Sequence, residues 1–342
     1  MVQPLAQAYV DATSDGELAR ASRSEPDAEE VGEPGEERSS GRMTAIRVVA
    51  TLVVVLLVAL GLRKLDLPTL RGALASAAVG PLVLASFLSF AMLVAKAGYW
   101  RMIVSPVARV PLRKMLWYAV SASGASVVLP MRGGEAVRIY WLRKRHGVPL
   151  PVIGAALGFE KVSDVTSLVL LALPLPWLFP KEAWLGRFQV TASVVLVAII
   201  VAFFVAQRAK RSLAWVAKLR IFDTMRAPLA AYACVLASWI ADATLILVVM
   251  HSVGLPMQVG AALLVLLAAN LAIAIPTAPG NVGALELGVA FALTRLGVPD
   301  ERAAAFAILY HGIQLATLLS AWCIGAGVEA LSAPLARSLR RA

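Results

Sequence analysis

Residues 275–291 read Ile-Pro-Thr-Ala-Pro-Gly-Asn-Val-Gly-Ala-Leu-Glu-Leu-Gly-Val-Ala-Phe, and the rest of the chain is organised around them. An apolar run from Val259 to Ile275 enters this stretch and a second, Val282 to Leu296, leaves it. Pro276, Pro279, Gly280 and Gly283 stand where a helix would otherwise continue. Proline lacks a backbone donor and glycine admits unusual dihedrals, so the helix breaks here. In hydrocarbon a broken backbone is tolerated only where protein buries it or a wet cavity solvates it. Glu286 follows inside the next apolar run. A break followed by a carboxylate within a membrane helix marks a working site.

An earlier stretch has the same build. Residues 129–138 read Leu-Pro-Met-Arg-Gly-Gly-Glu-Ala-Val-Arg, after an apolar approach from Met115 to Leu129. Two interrupted segments in separate halves point to a substrate site between structural repeats. The alternative is that two Pro-Gly breaks arise from composition alone, in a chain with 19 Pro and 24 Gly.

The class of protein follows from composition. Of 342 residues, 59% are hydrophobic and only 15% charged, against about 25% charged in soluble domains. The expected fold is an all-α polytopic membrane protein of about seven to eight transmembrane helices, with interrupted or re-entrant segments and an internal repeat as the open question. A transmembrane β-barrel would show alternating segments of about ten residues, and none occur. Cys234 and Cys323 both lie in apolar runs and read as small buried hydrophobes. His146, His251 and His311 share no metal-ligand spacing, so no metal is expected.

The net charge of +11 hides an asymmetry. Residues 1–42 hold ten acids and four bases, and their Glu, Ser, Gly and Pro content reads as a disordered acidic tail on the cytoplasmic side. Residues 43–335 form the membrane domain and 336–342 a basic cytoplasmic tail. The basic surplus of the membrane domain sits in short loops, which is the positive-inside pattern rather than a nucleic-acid surface. It places 101–114, 131–150 and 207–227 in the cytoplasm, and 63–78, 180–188 and 251–258 outside, in a multi-pass protein of the inner membrane. The run 115–130 has basic clusters on both sides. At about 1.5 Å per residue it spans roughly 24 Å, short of a ~30 Å core, so it is read as re-entrant. Crossings are expected near 46–62, 79–100, 153–179, 190–206, 228–250 and 303–331, with 259–275 and 282–296 as two more.

Ionisable residues inside these runs are few. Glu160 and Asp164 are four apart and share one helix face with Lys161 beside them. Glu135 and Arg138 are three apart at the first break. A charge at the bilayer centre costs about 2.5–3.5 kcal/mol on insertion scales, so such groups persist when paired, hydrated or used. Arginine holds phosphate in a bidentate fork, which favours Arg132 and Arg138 as phosphate partners. The bland reading is that these charges pair with one another to fix helix register. Asp242 reads as a hydrogen-bonding residue between helices.

Three segments now stand together: Leu129-Pro-Met-Arg-Gly-Gly-Glu-Ala-Val-Arg138, Phe159-Glu-Lys-Val-Ser-Asp164 and Pro276-Thr-Ala-Pro-Gly-Asn-Val-Gly-Ala-Leu-Glu286. In order and spacing they resemble the signatures of the flippase-like membrane domain, the transmembrane part of lysylphosphatidylglycerol synthases that also occurs as stand-alone proteins. Asn281 departs from that pattern, which has a second glycine there. The resemblance implies movement of an anionic, aminoacylated or polyprenyl-linked lipid between leaflets, without catalysis. The expected substrate-binding residues are Arg132, Glu135, Arg138, Glu160, Lys161, Asp164, Pro279, Gly280, Gly283 and Glu286. No nucleotide motif and no cofactor are expected. Membrane lipids are the expected partners, with a second copy or a lipid-synthesising enzyme as protein partner and no nucleic acid. The competing function is a membrane-embedded glycosyl- or phosphotransferase using Glu160 and Asp164 on a polyprenyl phosphate. A further expectation concerns Gly280 and Gly283: alanine at both should extend the helix, hold or raise stability, and abolish lipid movement.

Overall fold

The computed structural model describes residues 67–128, 134–179, 183–209, 226–274 and 279–338. The acidic tail, the expected crossing near 46–62, Arg132 and the basic connection 210–225 lie outside them. Among the described residues all regular structure is helical: α1 Leu67–Ala75, α2 Val79–Val104, α3 Leu112–Val128, α4 Gly134–His146, α5 Leu150–Ala172 and α6 Leu175–Leu178. Then follow α7 Ala183–Ala209, α8 Arg226–Ser252, α9 Val259–Ala274, a 3-10 turn Pro279–Asn281, α10 Ala284–Arg295 and α11 Asp300–Ser338. Prolines punctuate these elements where their missing N–H does no harm. Pro149 caps α5, Pro151 lies in its first turn, and Pro174 caps α6. α2, α8 and residues 300–328 of α11 are each long and apolar enough to cross a membrane. The chain is a multi-pass membrane protein.

α2 and α8 form the antiparallel centre. The Ala78 N–H donates to the Ser252 carbonyl at 2.9 Å, and a Cβ on Gly98 would meet Cys234 Sγ at 3.2 Å. So the start of α2 meets the end of α8, and the reverse. Each of these two helices is followed by a hairpin and then by another long helix. α3 and α4 fold back on one another, with Tyr118 of α3 beside Trp141 and His146 of α4. This is the re-entrant segment that the charge pattern implied. Their open end lies beside the end of α2, in an apolar cluster that joins Val104, Val110, Met115, Leu142 and Val148. At this basic edge, burial, followed by the neighbouring Lys114 and Arg145 charges, holds the His146 pKa below its ordinary 6.5.

The second break differs from the expectation of two crossings. α9 and α10 pack antiparallel: a Cβ on Gly288 would meet Ala272 Cβ at 2.6 Å and the Ala268 carbonyl at 2.8 Å. Their 16 and 12 residues span roughly 24 and 18 Å, less than a ~30 Å core. They form a second re-entrant hairpin, opening at the end of α8. Hydropathy could not separate the cases, because a short crossing and half a hairpin are equally apolar. The element order helix, hairpin, helix therefore occurs twice, as α2–α3/α4–α5 and α8–α9/α10–α11. Because α2 and α8 are antiparallel, the two units run in opposite senses and their hairpins enter from opposite ends. The tips meet. A Cβ on Gly280 would lie 3.4 Å from Val127 Cγ1 and 3.8 Å from the Val127 carbonyl oxygen. Two apolar cores are present, one joining α2, α3, α4 and the starts of α5 and α8, the other joining the end of α8 with α9, α10 and α11 and reaching Ala85 of α2 and Ala172 of α5. Trp239 of α8 packs against both, at the seam.

Candidate functional site

The first hairpin sets two ion pairs at its inner end. Arg138 of α4 points into the protein and is 8% exposed; Glu160 of α5 is 5% exposed. Arg138 Nη1 donates to Glu160 Oε2 at 3.4 Å, and Trp100 Nε1–H of α2 donates to the same oxygen at 3.1 Å. The guanidinium also lies 4.6 Å above the Trp100 ring, a cation–π contact strengthened by exclusion of water. Arg138 Nε is buried without a hydrogen-bond partner among the described residues. The Tyr99 hydroxyl donates to the Ala156 carbonyl at 2.6 Å, fixing α2 against α5 one turn below Glu160.

Glu135 and Lys161 form the second pair, 2.8 Å apart, with side chains 33% and 47% exposed. The sequence put Glu135 beside Arg138 on one helix. Instead Arg138 turns inward to Glu160 and Glu135 turns outward to Lys161, because both partners are offered by α5 at adjacent positions on its facing side. Glu135 lies eleven residues before the end of α4 and Lys161 eleven after the start of α5. At 1.5 Å per residue, both charges sit roughly 16 Å in from the basic edge. Charges at that depth are costly unless paired, and these two satisfy one another.

Asp164 lies a turn further along α5 and accepts from Trp239 Nε1–H at 3.1 Å. Asp242 of α8, 7% exposed, accepts at one oxygen from the Tyr310 hydroxyl (2.8 Å) and from Gln314 Nε2 (3.1 Å), both on α11. The sequence reading expected Asp242 to hydrogen-bond between helices, as it does, and gave Trp100, Trp239, Tyr310 and Gln314 no place in the site. A single polar or aromatic residue in an apolar run carries no sign of which helix it faces.

At the second hairpin Glu286 serves its own helix. The Gly283 N–H donates to Glu286 Oε2 at 2.7 Å, and Glu286 Oε1 lies 2.7 Å from His311 Nδ1 of α11. The start of α10 thus already has a carboxylate at its amides, and Glu286 finds its basic partner on α11. Pro279 opens the 3-10 turn at the hairpin tip. Gly280, Asn281 and Gly283 have φ of 66°, 58° and 86°. Asn281, where the family pattern has glycine, takes the left-handed conformation that asparagine tolerates better than most residues. These angles overturn the expectation that alanine would stabilise the stretch, since the helix propensity argument does not apply to left-handed backbone. Gly280→Ala and Gly283→Ala are each expected to lower stability by about 1–2 kcal/mol, and Asn281→Gly to leave it nearly unchanged. Thermal unfolding in detergent checks all three, and a Gly283→Ala protein as stable as the parent would contradict the strain assignment.

The structure therefore unites Glu135, Arg138, Glu160 and Lys161 at the first hairpin, with Asp164 adjoining, and holds Pro279, Gly280, Gly283 and Glu286 at the second. Opposed hairpins, with a buried ion pair and a half-exposed one on the first, belong to a polytopic membrane protein. The family model described as the lysylphosphatidylglycerol synthase TM region matches residues 46–321, and the chain belongs to that family. That places it among membrane proteins of lipid handling. No curated protein matches the chain.

Proposed function

We propose that the chain moves an anionic or aminoacylated phospholipid, or a polyprenyl-linked lipid, between leaflets of the inner membrane, with the basic edge in the cytoplasm. The observation that carries this reading is the Glu135–Lys161 pair, half-exposed yet deep along α4 and α5. In this reading a headgroup meets these charges while its acyl chains stay in the bilayer. Arg138, whose Nε has no partner among the described residues, and Lys161 offer cations to a phosphate, while Glu135 and Glu160 suit a cationic substituent. No covalent step is assigned to these residues.

Because exposed pairs contribute only about 0–1 kcal/mol to stability, Lys161→Gln is expected to fold with normal yield. A lost charge-assisted contact of about 1.5–3 kcal/mol to the headgroup would slow movement roughly tenfold or more. The measurement is dithionite quenching of fluorescent phosphatidylglycerol in vesicles holding the purified chain. An unchanged rate in Lys161→Gln, from a protein that moves lipid at all, would sink this assignment.

A further inference from the structure

We propose that the basic edge is a binding surface for anionic phospholipid headgroups of the leaflet that borders it, built around Lys144 and Arg145 laid over Tyr140 and Trp141. It is separate from the ion pairs at the inner end of the hairpin and holds whether or not lipid crosses. The spacing on α4 sets it up. Each of these two cations follows an aromatic residue by four positions, so ring and charge meet on one face of the helix. Lys144 Nζ lies 5.1 Å from the centre of the Tyr140 ring and donates to its hydroxyl at 2.8 Å. The Arg145 guanidinium lies 5.2 Å from the centre of a Trp141 ring and 6.0 Å from that of Tyr118. Trp141 in turn stacks on Trp117 of α3 at 6.1 Å, and the Tyr118 hydroxyl is 3.1 Å from His146 Nε2. The rings thus anchor both cations to the first hairpin. A ring takes the face of a guanidinium and leaves the N–H groups along its edge to grip a phosphate.

The charge at this edge is not balanced within it. Arg143, Lys144 and Arg145 are all exposed, as are Arg109 on the loop after α2 and Arg113 and Lys114 in the first turn of α3. None of the six makes an ion pair among the described residues. The one acid between Ala97 and Phe159 is Glu135, itself paired with Lys161. The dipole of α4 favours cations in its last turn, but the dipole of α3 opposes Arg113 and Lys114 in its first. Helix electrostatics therefore do not account for the cluster, and an external anion does. Apolar side chains interleave with the charges: Met102, Val107, Leu112 and Leu150 are between 36% and 46% exposed, and Tyr140 is 53% exposed. A water-borne acidic partner has no use for apolar residues at the level of the cations, whereas a headgroup interface requires both. A shallow concavity of about 430 Å³ opens at the same edge, lined by Arg143 and residues 147–151, Gly-Val-Pro-Leu-Pro. It joins one cation to an otherwise apolar lining, as a phosphate on an acylated glycerol demands.

The test uses the full chain in nanodiscs of equal phosphatidylcholine and phosphatidylglycerol, with native mass spectrometry counting the lipids that leave with the protein. The parent is expected to retain phosphatidylglycerol in excess of phosphatidylcholine. Each cation at a membrane surface is worth about fivefold in affinity for anionic lipid. Lys144→Gln with Arg145→Gln is therefore expected to lower that excess by about fivefold or more. Arg109→Gln with Arg113→Gln, from the loop and α3, is expected to do the same. The control removes two cations from the far end, Arg295→Gln with Arg302→Gln, where Asp300 and Glu301 stand close by in sequence. It is expected to leave the excess unchanged. All six positions are exposed, so normal folded yield is expected throughout. Equal losses in all three double variants would assign the preference to net charge and overturn the surface. Retained lipid in the proportion of the bilayer would overturn it too, and would leave the edge to an acidic protein partner. The count requires no lipid movement, so a failure of the transport reading leaves this result standing.

Discussion

Arg138→Met is expected to lower the unfolding free energy by about 3–5 kcal/mol, the size seen when one member of a buried ion pair is removed. The substitution leaves the Glu160 carboxylate in a site 5% exposed, with the Trp100 indole N–H as its remaining donor. One neutral hydrogen bond, worth about 0.5–1.5 kcal/mol net, cannot offset a buried charge. Adding Glu160→Gln removes the charge while keeping an acceptor for Trp100, and the double variant is expected to recover most of the loss. Lipid movement should stay low in both if Arg138 also meets the headgroup. Thermal unfolding in detergent, beside the vesicle assay, separates the two effects. An Arg138→Met protein as stable as the parent would mean that water already solvates Glu160, and the buried pair would have to be abandoned.

Gly134→Ala is the second large effect. Gly134 opens α4 against α3, and a Cβ there would fall well inside van der Waals contact of the Ala122 carbonyl oxygen and Ser126 Oγ. The carbonyl belongs to a helix backbone and cannot swing aside. Overpacking of this kind costs typically about 1–3 kcal/mol and more when backbone must move, so a loss of about 3 kcal/mol is expected. Gly158→Ala is the matching control, because a Cβ there meets nothing within 4 Å. It should gain up to about 1 kcal/mol from helix propensity. If both variants melt together, the close approach of α3 and α4 is not as described.

Much of this fold was legible because its signals are local. The basic clusters flanking 115–130 exposed the first hairpin without any knowledge of packing, and Pro and Gly placed both breaks. The second hairpin was missed because the connection 251–258 carries no formal charge, and charge was what had identified the first. Site pairing was less accessible. Glu160 meets Trp100 across 60 positions of chain and Asp242 meets Tyr310 across 68, and the apolar residues around them fit many helix arrangements. The i,i+3 rule put Glu135 with Arg138, but α5 offered each a better-placed partner. Nothing in the sequence around Glu286 announced that His311 stood one helix away as its partner.

The pairing of α4 with α5 bears on how the chain enters the bilayer. α5 carries Glu160, Lys161 and Asp164 within 23 residues. Inserted alone, three mid-helix charges would cost about 8–10 kcal/mol on translocon scales. Its eleven Leu, Ile, Val and Phe residues would offset only about 3–7 kcal/mol. The deficit closes when Glu135 and Arg138 are already at hand, and both emerge from the ribosome before α5 does. Synthesis order thus delivers the counter-charges ahead of the segment that needs them, and α5 partitions into lipid together with the first hairpin rather than as an independent span.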